Sequence, residues 1–308
     1  MASLREIRRK IKSVKSTEQI TKAMKMVAAA RMRKSQLAII AARPFASRME
    51  QMVRELALLQ ERAAGAASLD PLIEKRGAGS ALHPFFEKRG DGAELLVLVT
   101  GDKGLCGAFN SNILRAAIDW FKARAGRKTY CVAVGRKGRD MVHRLRGHDV
   151  EILQETVGVF PKISYTHAEL VGQAVIDAYL TRGVSSVTVL YNEFKSVAQQ
   201  RLLTGALLPI PAPAVVPEAV ALPDYGFEPA RGPLLSALLP RFLKAQVYRI
   251  LLESQAAELA ARMNAMDAAS KNAKELREAL NLSANRTRQA LITKEIAELV
   301  GGAEALAA

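Results

Sequence analysis

The beginning of the chain carries apolar residues at intervals of three and four and has neither glycine nor proline before Pro44. Such spacing is typical of a helix that packs on a second helix along a narrow stripe. The pattern breaks near Ser16, which predicts a slip in the stripe. We expect a helix over residues 1–62, bent at Pro44, with its stripe formed by Leu4, Ile7, Ile11, Val14, Ile20, Met24 and Val27.

The other end of the chain has a similar pattern. Residues 241–300 contain no glycine or proline, Pro240 precedes them and Gly301 follows them, as is typical of a helix start and end. A narrow apolar stripe cannot be buried by one helix alone, so we expect the helix at 241–302 to wind antiparallel around the first. Its stripe is expected to consist of Met263, Met266, Ala273, Leu276, Leu280, Ile292, Ile296 and Leu299.

The middle of the chain alternates short apolar runs with helical patterns. Strands are predicted at 95–99, 129–134, 150–157 and 187–191, and helices at 110–125, 136–146 and 167–180. This alternation predicts a mostly parallel, Rossmann-like α/β domain at 93–210, inserted between the two long helices. We interpret 63–92 as a loop with a short duplicated motif, and the proline-rich 211–240 as an extended connection.

Positive charge is concentrated near the beginning. The 308 residues carry a net charge of +15, and residues 1–60 hold 14 Lys and Arg against 4 Asp and Glu. The apolar share of 49% and charged share of 24% exclude a largely disordered chain. A basic segment of this kind usually faces nucleic acid, anionic lipid or an acidic protein surface.

Nucleic-acid binding is the alternative hypothesis for the basic helix. Its cations suit a phosphate backbone, but no aromatic residue that could stack on bases occurs before Phe45. Small and flexible side chains such as those of Ala28 and Met32 suit a surrounding protein better. We therefore favour a protein partner and expect no nucleic acid.

Candidate catalytic chemistry is sparse. Gly101, Gly104 and Gly107 follow a strand and precede a helix, where phosphate-binding loops lie, but their spacing fits neither glycine fingerprint. Cys106 has no histidine near it in the sequence, which argues against a nucleophile. We expect no catalytic site, cofactor or metal, since metal-ligand spacing is also lacking among His83, His143, His148 and His167.

Several motifs, in order along nearly the whole chain, resemble the gamma subunit family of the F-type ATP synthase in its bacterial form. The first begins at Ile11 and reads IKSVKSTEQITKAMKMVAAA, and another, RMNAMDAAS, begins at Arg262. A third reads NRTRQALITKEIAELVGGA from Asn285. Shorter matches are GLCG at 104–107, Tyr191-Asn192, and PRFLKAQVY at 240–248.

The resemblance implies a central shaft rather than an enzyme. In that family the two terminal helices turn inside a ring of alpha and beta subunits, and the α/β domain lies near the membrane. Rotation couples transmembrane proton flow to ATP synthesis and hydrolysis at beta-subunit sites, while ATP, ADP and Mg are bound by alpha and beta. The epsilon subunit and a membrane c-ring are further partners. The implied location is peripheral, on the cytoplasmic face of the bacterial inner membrane.

The resemblance also implies contact residues. Contacts with the beta subunit are expected at Met24, Lys25, Arg262, Arg288, Gln289, Thr293 and Glu295. Contacts with the membrane ring and epsilon are expected at Tyr191, Asn192 and Glu193. Gly101 and Lys103 stand where the family commonly has serine and arginine, which weakens any specific role for that loop. The regulatory cysteine pair of plant relatives is not visible, so no thiol switch is expected.

Overall fold

The structure, a computed structural model, describes residues 3–67, 83–87, 89–145, 149–160, 162–210 and 231–307. Two compact units are present. Unit 1 comprises Met1–Ala30 and Arg262–Ala308, and unit 2 comprises Arg31–Ala261. In chain order the elements are α1 Leu4–Ala67, β1 Ala93–Val99, α2 Phe109–Lys122, β2 Thr129–Val134, α3 Arg136–Arg144, β3 Val150–Thr156, α4 Tyr165–Thr181, β4 Val184–Phe194, β5 Gln200–Leu208 and α5 Arg231–Ala307.

Both long helices are present, but their ends differ from the predicted ones. α1 extends past residue 62 and continues through Pro44, and α5 contains Pro240 and continues through Gly301 and Gly302. The predicted start at 241 and end at 302 were therefore wrong. Pro240 is tolerated because its neighbour Leu239 is fully buried, and such packing offsets the roughly 3 kcal/mol cost of an interior proline. Of the proline-rich connection, 231–240 are helical and 211–230 lie outside the described residues, as do 68–82.

The seam of α1 in unit 1 has no slip. Buried and half-buried side chains recur every seven residues in two series, which start at Leu4 and at Ile7. The two series continue past Ser16 without a break, because polar residues such as Glu18 and Thr21 occupy the seam positions there. The first series is Leu4, Ile11, Glu18 and Lys25, and the second is Ile7, Val14, Thr21 and Ala28. Ile20 and Val27, predicted in the seam, are 57% and 52% exposed.

The seam of α5 in unit 1 was also predicted only in part. Met266 and Ala273 are buried and Met263 and Leu280 are half-buried, as expected. Four predicted seam residues are instead exposed, namely Leu276, Ile292, Ile296 and Leu299. Apolar character alone misplaced them, because a seven-residue repeat selects positions by spacing.

The predicted mostly parallel sheet in unit 2 is confirmed. Its five strands lie in the order β3-β2-β1-β4-β5, with parallel pairs throughout except for β4 and β5, which are antiparallel. The sequence analysis missed β5, which forms a hairpin with a β4 that is longer than predicted. Strand β5 is only partly buried at its start, so its sequence lacks the continuous apolar run of β1.

Helices cover both faces of this sheet. Alternate residues of β1 point to opposite faces, so that Leu95 and Val97 belong to one apolar cluster and Leu96 and Leu98 to another. The first cluster includes residues of α1, α4 and α5. The second includes α2 and α3, with Trp120 at its edge. Unit 2 is therefore a three-layer α/β domain into which parts of both long helices are packed.

Candidate functional site

Lys25 is tied to the opposite helix of the coil in unit 1. Its side chain is 42% exposed, and its Nζ donates to Oδ1 of Asp267 on α5 at 2.5 Å. The other carboxylate oxygen, Oδ2, pairs with Lys271 Nζ at 3.1 Å. These three side chains together keep one net positive charge. The cation predicted to meet a partner thus already has an intramolecular carboxylate.

Asp267 remains ionised in this cluster. Hydrogen bonds from Lys25 and then from Lys271 hold the pKa of Asp267 below its ordinary value of 3.8, and they outweigh the opposing effect of desolvation. The sequence analysis did not connect Asp267 with Lys25. Two opposite charges that lie side by side on antiparallel helices predict an ion pair. Which residues lie side by side is known only once the register of the helices is known.

A second ion pair crosses the coil. Arg277 of α5 lies 3.3 Å from Glu18 of α1, measured from NH1 to Oε2, and their side chains are 28% and 20% exposed. From Glu18 to Lys25 the numbering rises on α1, while their partners fall from 277 to 267 on α5. The predicted antiparallel pairing of the terminal helices is therefore confirmed within unit 1. Neither Glu18 nor Arg277 was a predicted site residue.

The predicted beta contacts fall into two groups on unit 1. The first, called here the Lys25 group, is Met24, Lys25 and Arg262, all half-buried. Arg262 makes a contact within the chain. The second, the Arg288 group, is exposed and consists of Arg288, Gln289, Thr293 and Glu295. At a rise of 1.5 Å per residue, Arg262 and Arg288 are about 39 Å apart along α5.

Large apolar side chains surround the Arg288 group. Every residue from 291 to 300 is exposed, although six of these ten residues are apolar. Thr293 donates its hydroxyl to the Gln289 carbonyl within the helix at 3.0 Å. An exposed apolar patch mixed with polar side chains is typical of a surface that a protein partner covers. Its apolar members are Leu291, Ile292, Ile296, Leu299 and Val300.

The three residues predicted to face the membrane ring lie on β4 in unit 2, and two of them are buried. Tyr191 is 6% exposed and Asn192 is 5% exposed, and the Asn192 amide donates to the Phe109 carbonyl at 3.4 Å. Glu193 is half-buried. Within this set, Glu193 is therefore the side chain with access to a partner.

Tyr191 belongs to a buried polar cluster with Glu253 of α5. Desolvation raises the pKa of Tyr191 strongly, and it also raises the pKa of Glu253 above 4.5, against the effects of Arg249 and of a hydrogen bond from Tyr191. Arg249 Nε is 3.9 Å from a Glu253 carboxylate oxygen. A cavity of about 260 Å³ beside the cluster is lined by Arg249, Glu193 and Glu253 among others. Glu253 and Arg249 were not predicted as site residues, because no motif near them in the sequence indicates a role.

The glycine-rich loop after β1 has its anion position filled by the chain itself. Both carboxylate oxygens of Asp102 are used: Oδ1 accepts the backbone N–H of Arg136 and of Gly158 at 3.0 Å, and Oδ2 that of Phe160 at 3.1 Å. Arg136 is the first residue of α3, where a phosphate would otherwise find free N–H groups. Asn110 closes the loop by accepting the Gly101 N–H and donating to the Lys103 carbonyl. This arrangement favours the structural turn over a phosphate site.

Neither cysteine lies in a reactive setting. Cys106 and Cys131 are buried, and burial raises the pKa of Cys131 to about 12. His143 pairs with Glu155, and His167 accepts the Ser164 backbone N–H.

The described residues contain no group of three or more His, Cys, Asp or Glu that could hold a metal, and His148 lies outside them. No described helix is long and apolar enough to cross a membrane.

Comparison with known proteins shows similarity along nearly the whole chain. The sequence model of one family, described as ATP synthase, matches residues 3–306. The ATP synthase gamma chain of Elusimicrobium minutum is 42% identical over 99% of both chains. That of Desulforamulus reducens is 44% identical over 99% of this chain and all of its own length.

Solved structures are similar in fold. A chain in the central stalk and c-ring structure of the Tetrahymena thermophila mitochondrial ATP synthase is 25% identical, with a TM-score of 0.57. It covers 82% of this chain and 99% of its own. A chain of the Euglena gracilis mitochondrial ATP synthase is 20% identical with a TM-score of 0.64, covering 98% and 94%.

Proposed function

The chain belongs to the ATP synthase gamma chain family, and from this premise we propose how a non-catalytic rotor subunit of the central stalk makes its contacts. Unit 1 turns inside a ring of alpha and beta subunits, and unit 2 meets epsilon and the membrane c-ring. Proton flow through the ring turns the stalk, and its rotation drives ATP synthesis at the beta sites. Reverse rotation accompanies ATP hydrolysis.

The observation that carries this proposal is the exposed end of α5. A helix of an isolated soluble protein seldom exposes ten consecutive residues that include five large apolar side chains, as 291–300 do. A surrounding ring of subunits would cover this surface. Apolar contact without many fixed hydrogen bonds also suits a surface that slides, because no single geometry is strongly preferred.

Coupling of rotation to nucleotide affinity at the beta sites requires that the shaft present different surfaces on its different sides. Beta sites of identical sequence can have different nucleotide affinities only if something contacts them unequally, and a ligand shifts a conformational equilibrium by its unequal affinity for the two states. The coil of unit 1 supplies such inequality, because α1 is strongly basic and the end of α5 is apolar. Rotation carries these unlike faces past each beta subunit in turn.

The Lys25 group is proposed to meet an acidic surface of beta. Although Asp267 pairs with Lys25, Lys271 shares that carboxylate, so the cluster still presents net positive charge. Lys25 is 42% exposed, which leaves its ammonium accessible. The Arg288 group is proposed to contact beta at a separate level, about 39 Å along the helix from Arg262. At the ring and epsilon, Glu193 is the proposed contact of its segment.

The nucleotides and Mg are proposed to bind to alpha and beta rather than to this chain. The Asp102 carboxylate supports this, since it takes the N–H groups at the start of α3. The complex is proposed to lie on the cytoplasmic face of a bacterial inner membrane, with this chain held there through its partners.

The test is reconstitution with alpha and beta subunits of the same organism, followed by steady-state ATP hydrolysis. We expect a stable complex whose hydrolysis depends on this chain. The variants Gln289→Ala and Thr293→Ala should alter hydrolysis by severalfold, while Ser47→Ala, an exposed residue of α1 in unit 2, serves as control. A chain that stays apart from alpha and beta and binds duplex DNA with a steep salt dependence would overturn the proposal.

A further inference from the structure

Charged side chains occupy seam positions of the coil in unit 1. Glu18 and Lys25 continue the seven-residue series of Leu4 and Ile11, and both are half-buried. Arg277 lies in the corresponding series of α5, fourteen residues after Met263. Apolar residues at such positions usually stabilise a coil more than charges do. The best-attested role of polar seam residues is to specify register and orientation.

The apolar part of the seam specifies the register only in part. Three of its buried members near the ion pairs are small, namely Thr21, Ala28 and Ala273, whereas Met266, next to Asp267, is large. Because the two series repeat every seven residues, sliding α5 by seven residues would again set apolar seam residues against α1, with Met266 or Leu280 in the place of Ala273. Apolar packing would then disfavour the shifted register only through the fit of these side chains.

The charges distinguish them clearly. In the observed register Lys25 faces Asp267, and Glu18 faces Arg277. A shift of seven residues in one direction would bring Lys25 opposite Lys274. A shift in the other direction would bring Glu18 opposite Ser270 and leave Arg277 without its carboxylate. Either shift therefore leaves charges in the seam without partners, which is costly.

We propose that the pairs Lys25–Asp267 and Glu18–Arg277 are positioning residues that fix the antiparallel register of the coil. They thereby hold the Lys25 group and the Arg288 group at set heights on one surface. The register itself is a property of this chain alone. Its consequence for coupling rests on the function proposed above.

Cysteine cross-linking measures the register in the full chain. Interpolation between the two ion pairs places Thr21 level with Ala273. Thr21→Cys with Ala273→Cys should form a disulfide, and Thr21→Cys with Leu280→Cys, shifted by seven residues, should form at least tenfold less. Native Cys106 and Cys131 are buried and do not compete.

Reversed charges then test the pairs. Asp267→Lys with Arg277→Glu opposes like charges at both levels, and we expect the tenfold preference to be lost. Adding Lys25→Asp and Glu18→Arg restores opposite charges and should restore the preference. A preference that survives the repulsive variant would overturn the proposal. If the repulsive variant does not fold, the milder pair Asp267→Asn with Arg277→Gln takes its place, and its helix content is monitored by circular dichroism.

Coupling is measured separately in the assembled complex, as proton pumping per ATP hydrolysed. Arg277→Glu alone should lower this ratio severalfold. The double variant Glu18→Arg with Arg277→Glu should restore the ratio of the parent chain. Neither variant alters the proposed beta contacts. A merely structural pair would change assembly without changing the ratio. If the restored pair regains the register but not the ratio, the positioning role is wrong. If the unmodified chain does not assemble at all, the proposed function fails and the cross-linking result is unaffected.

Discussion

The carboxylate of Asp102 accepts the first backbone N–H of α3, from Arg136, at 3.0 Å. A helix N-terminus at the carboxyl end of a parallel sheet is where many α/β domains bind phosphate. In this chain the same carboxylate also joins the loops that contain Gly158 and Phe160. At the start of α3 the anion position is therefore occupied by a carboxylate of the chain itself, which forms an internal crosslink.

Removal of this crosslink should destabilise unit 2. Asp102→Ala leaves three backbone N–H groups without their acceptor, and we expect the free energy of unfolding to fall by about 3 kcal/mol. Urea unfolding followed by fluorescence of Trp120, the one tryptophan in the chain, reports on this unit. Sulfate should partly restore the stability of Asp102→Ala by occupying the vacated position. Asp140→Asn, an acidic residue on α3 itself, is the control and should change stability by less than about 0.5 kcal/mol. Equal losses in both variants would refute the assignment.

Gly135 is required by both its backbone conformation and its surroundings. Its φ is 89°, and an added Cβ would lie 2.0 Å from the Thr100 carbonyl oxygen. Gly126 has a similar φ of 82° but nothing within 4 Å of the added Cβ. We expect Gly126→Ala to cost about 1 kcal/mol from the left-handed backbone alone, and Gly135→Ala at least twice as much. Unfolding in urea compares the two, and similar costs would show that the close approach to Thr100 can relax.

Glu253 should make unit 2 less stable as the pH rises. Burial raises the pKa of Glu253 in the folded chain above its ordinary value of 4.5. A carboxyl shifted upward stabilises the fold fully below 4.5, and this contribution is lost as the pH rises through the folded-state pKa. Glu253→Gln removes the ionisation. The urea midpoint of this variant should therefore rise relative to that of the parent chain as the pH increases above 4.5. A constant difference between the two chains would contradict the prediction.

Asp267 should show the opposite dependence. Lys25 and Lys271 lower the pKa of this carboxyl from 3.8, so its contribution is present above that value and is lost as the pH falls through the folded-state pKa. Asp267→Asn should therefore be less stable than the parent chain at neutral pH and approach it in acid. Helix content by circular dichroism follows this change. High salt should reduce the difference, because the pair is partly exposed.

Both thiols should resist modification in the native chain. Burial raises the pKa of Cys131 to about 12, so almost no thiolate exists near pH 8, and Cys106 is equally shielded from reagents. Labelling by iodoacetamide should become fast only in urea. Hydrolysis by the reconstituted complex should not respond to oxidant or reductant through this chain. Rapid labelling of either cysteine without denaturant would count against this prediction.

The sequence predicted the three-part organisation because each part depends on local pattern. Period-three-and-four spacing identified both long helices, and the apolar run Leu95–Val99 identified the central strand. Helix ends were less predictable, since Pro240 lies within α5, in a turn where Leu239 and Phe242 are buried in unit 2. Strand β5 was missed because a half-exposed edge strand has a weak apolar signal.

The candidate site divides in the same way. The sequence by itself determined that the end of α5 is helical, but its periodicity placed Ile292, Ile296 and Leu299 in the seam, and these side chains are exposed. The burial of Tyr191 and Asn192, the pairing of Lys25 with Asp267 and the use of Asp102 as an internal acceptor were decided by tertiary structure alone. Each of these depends on groups 34 or more residues apart in the chain, and no local preference encodes which distant partner a charge will meet. Periodicity predicts which positions of a helix can face a partner helix, whereas the register between two helices depends on contacts that form only in the folded chain, such as the pairs Lys25–Asp267 and Glu18–Arg277.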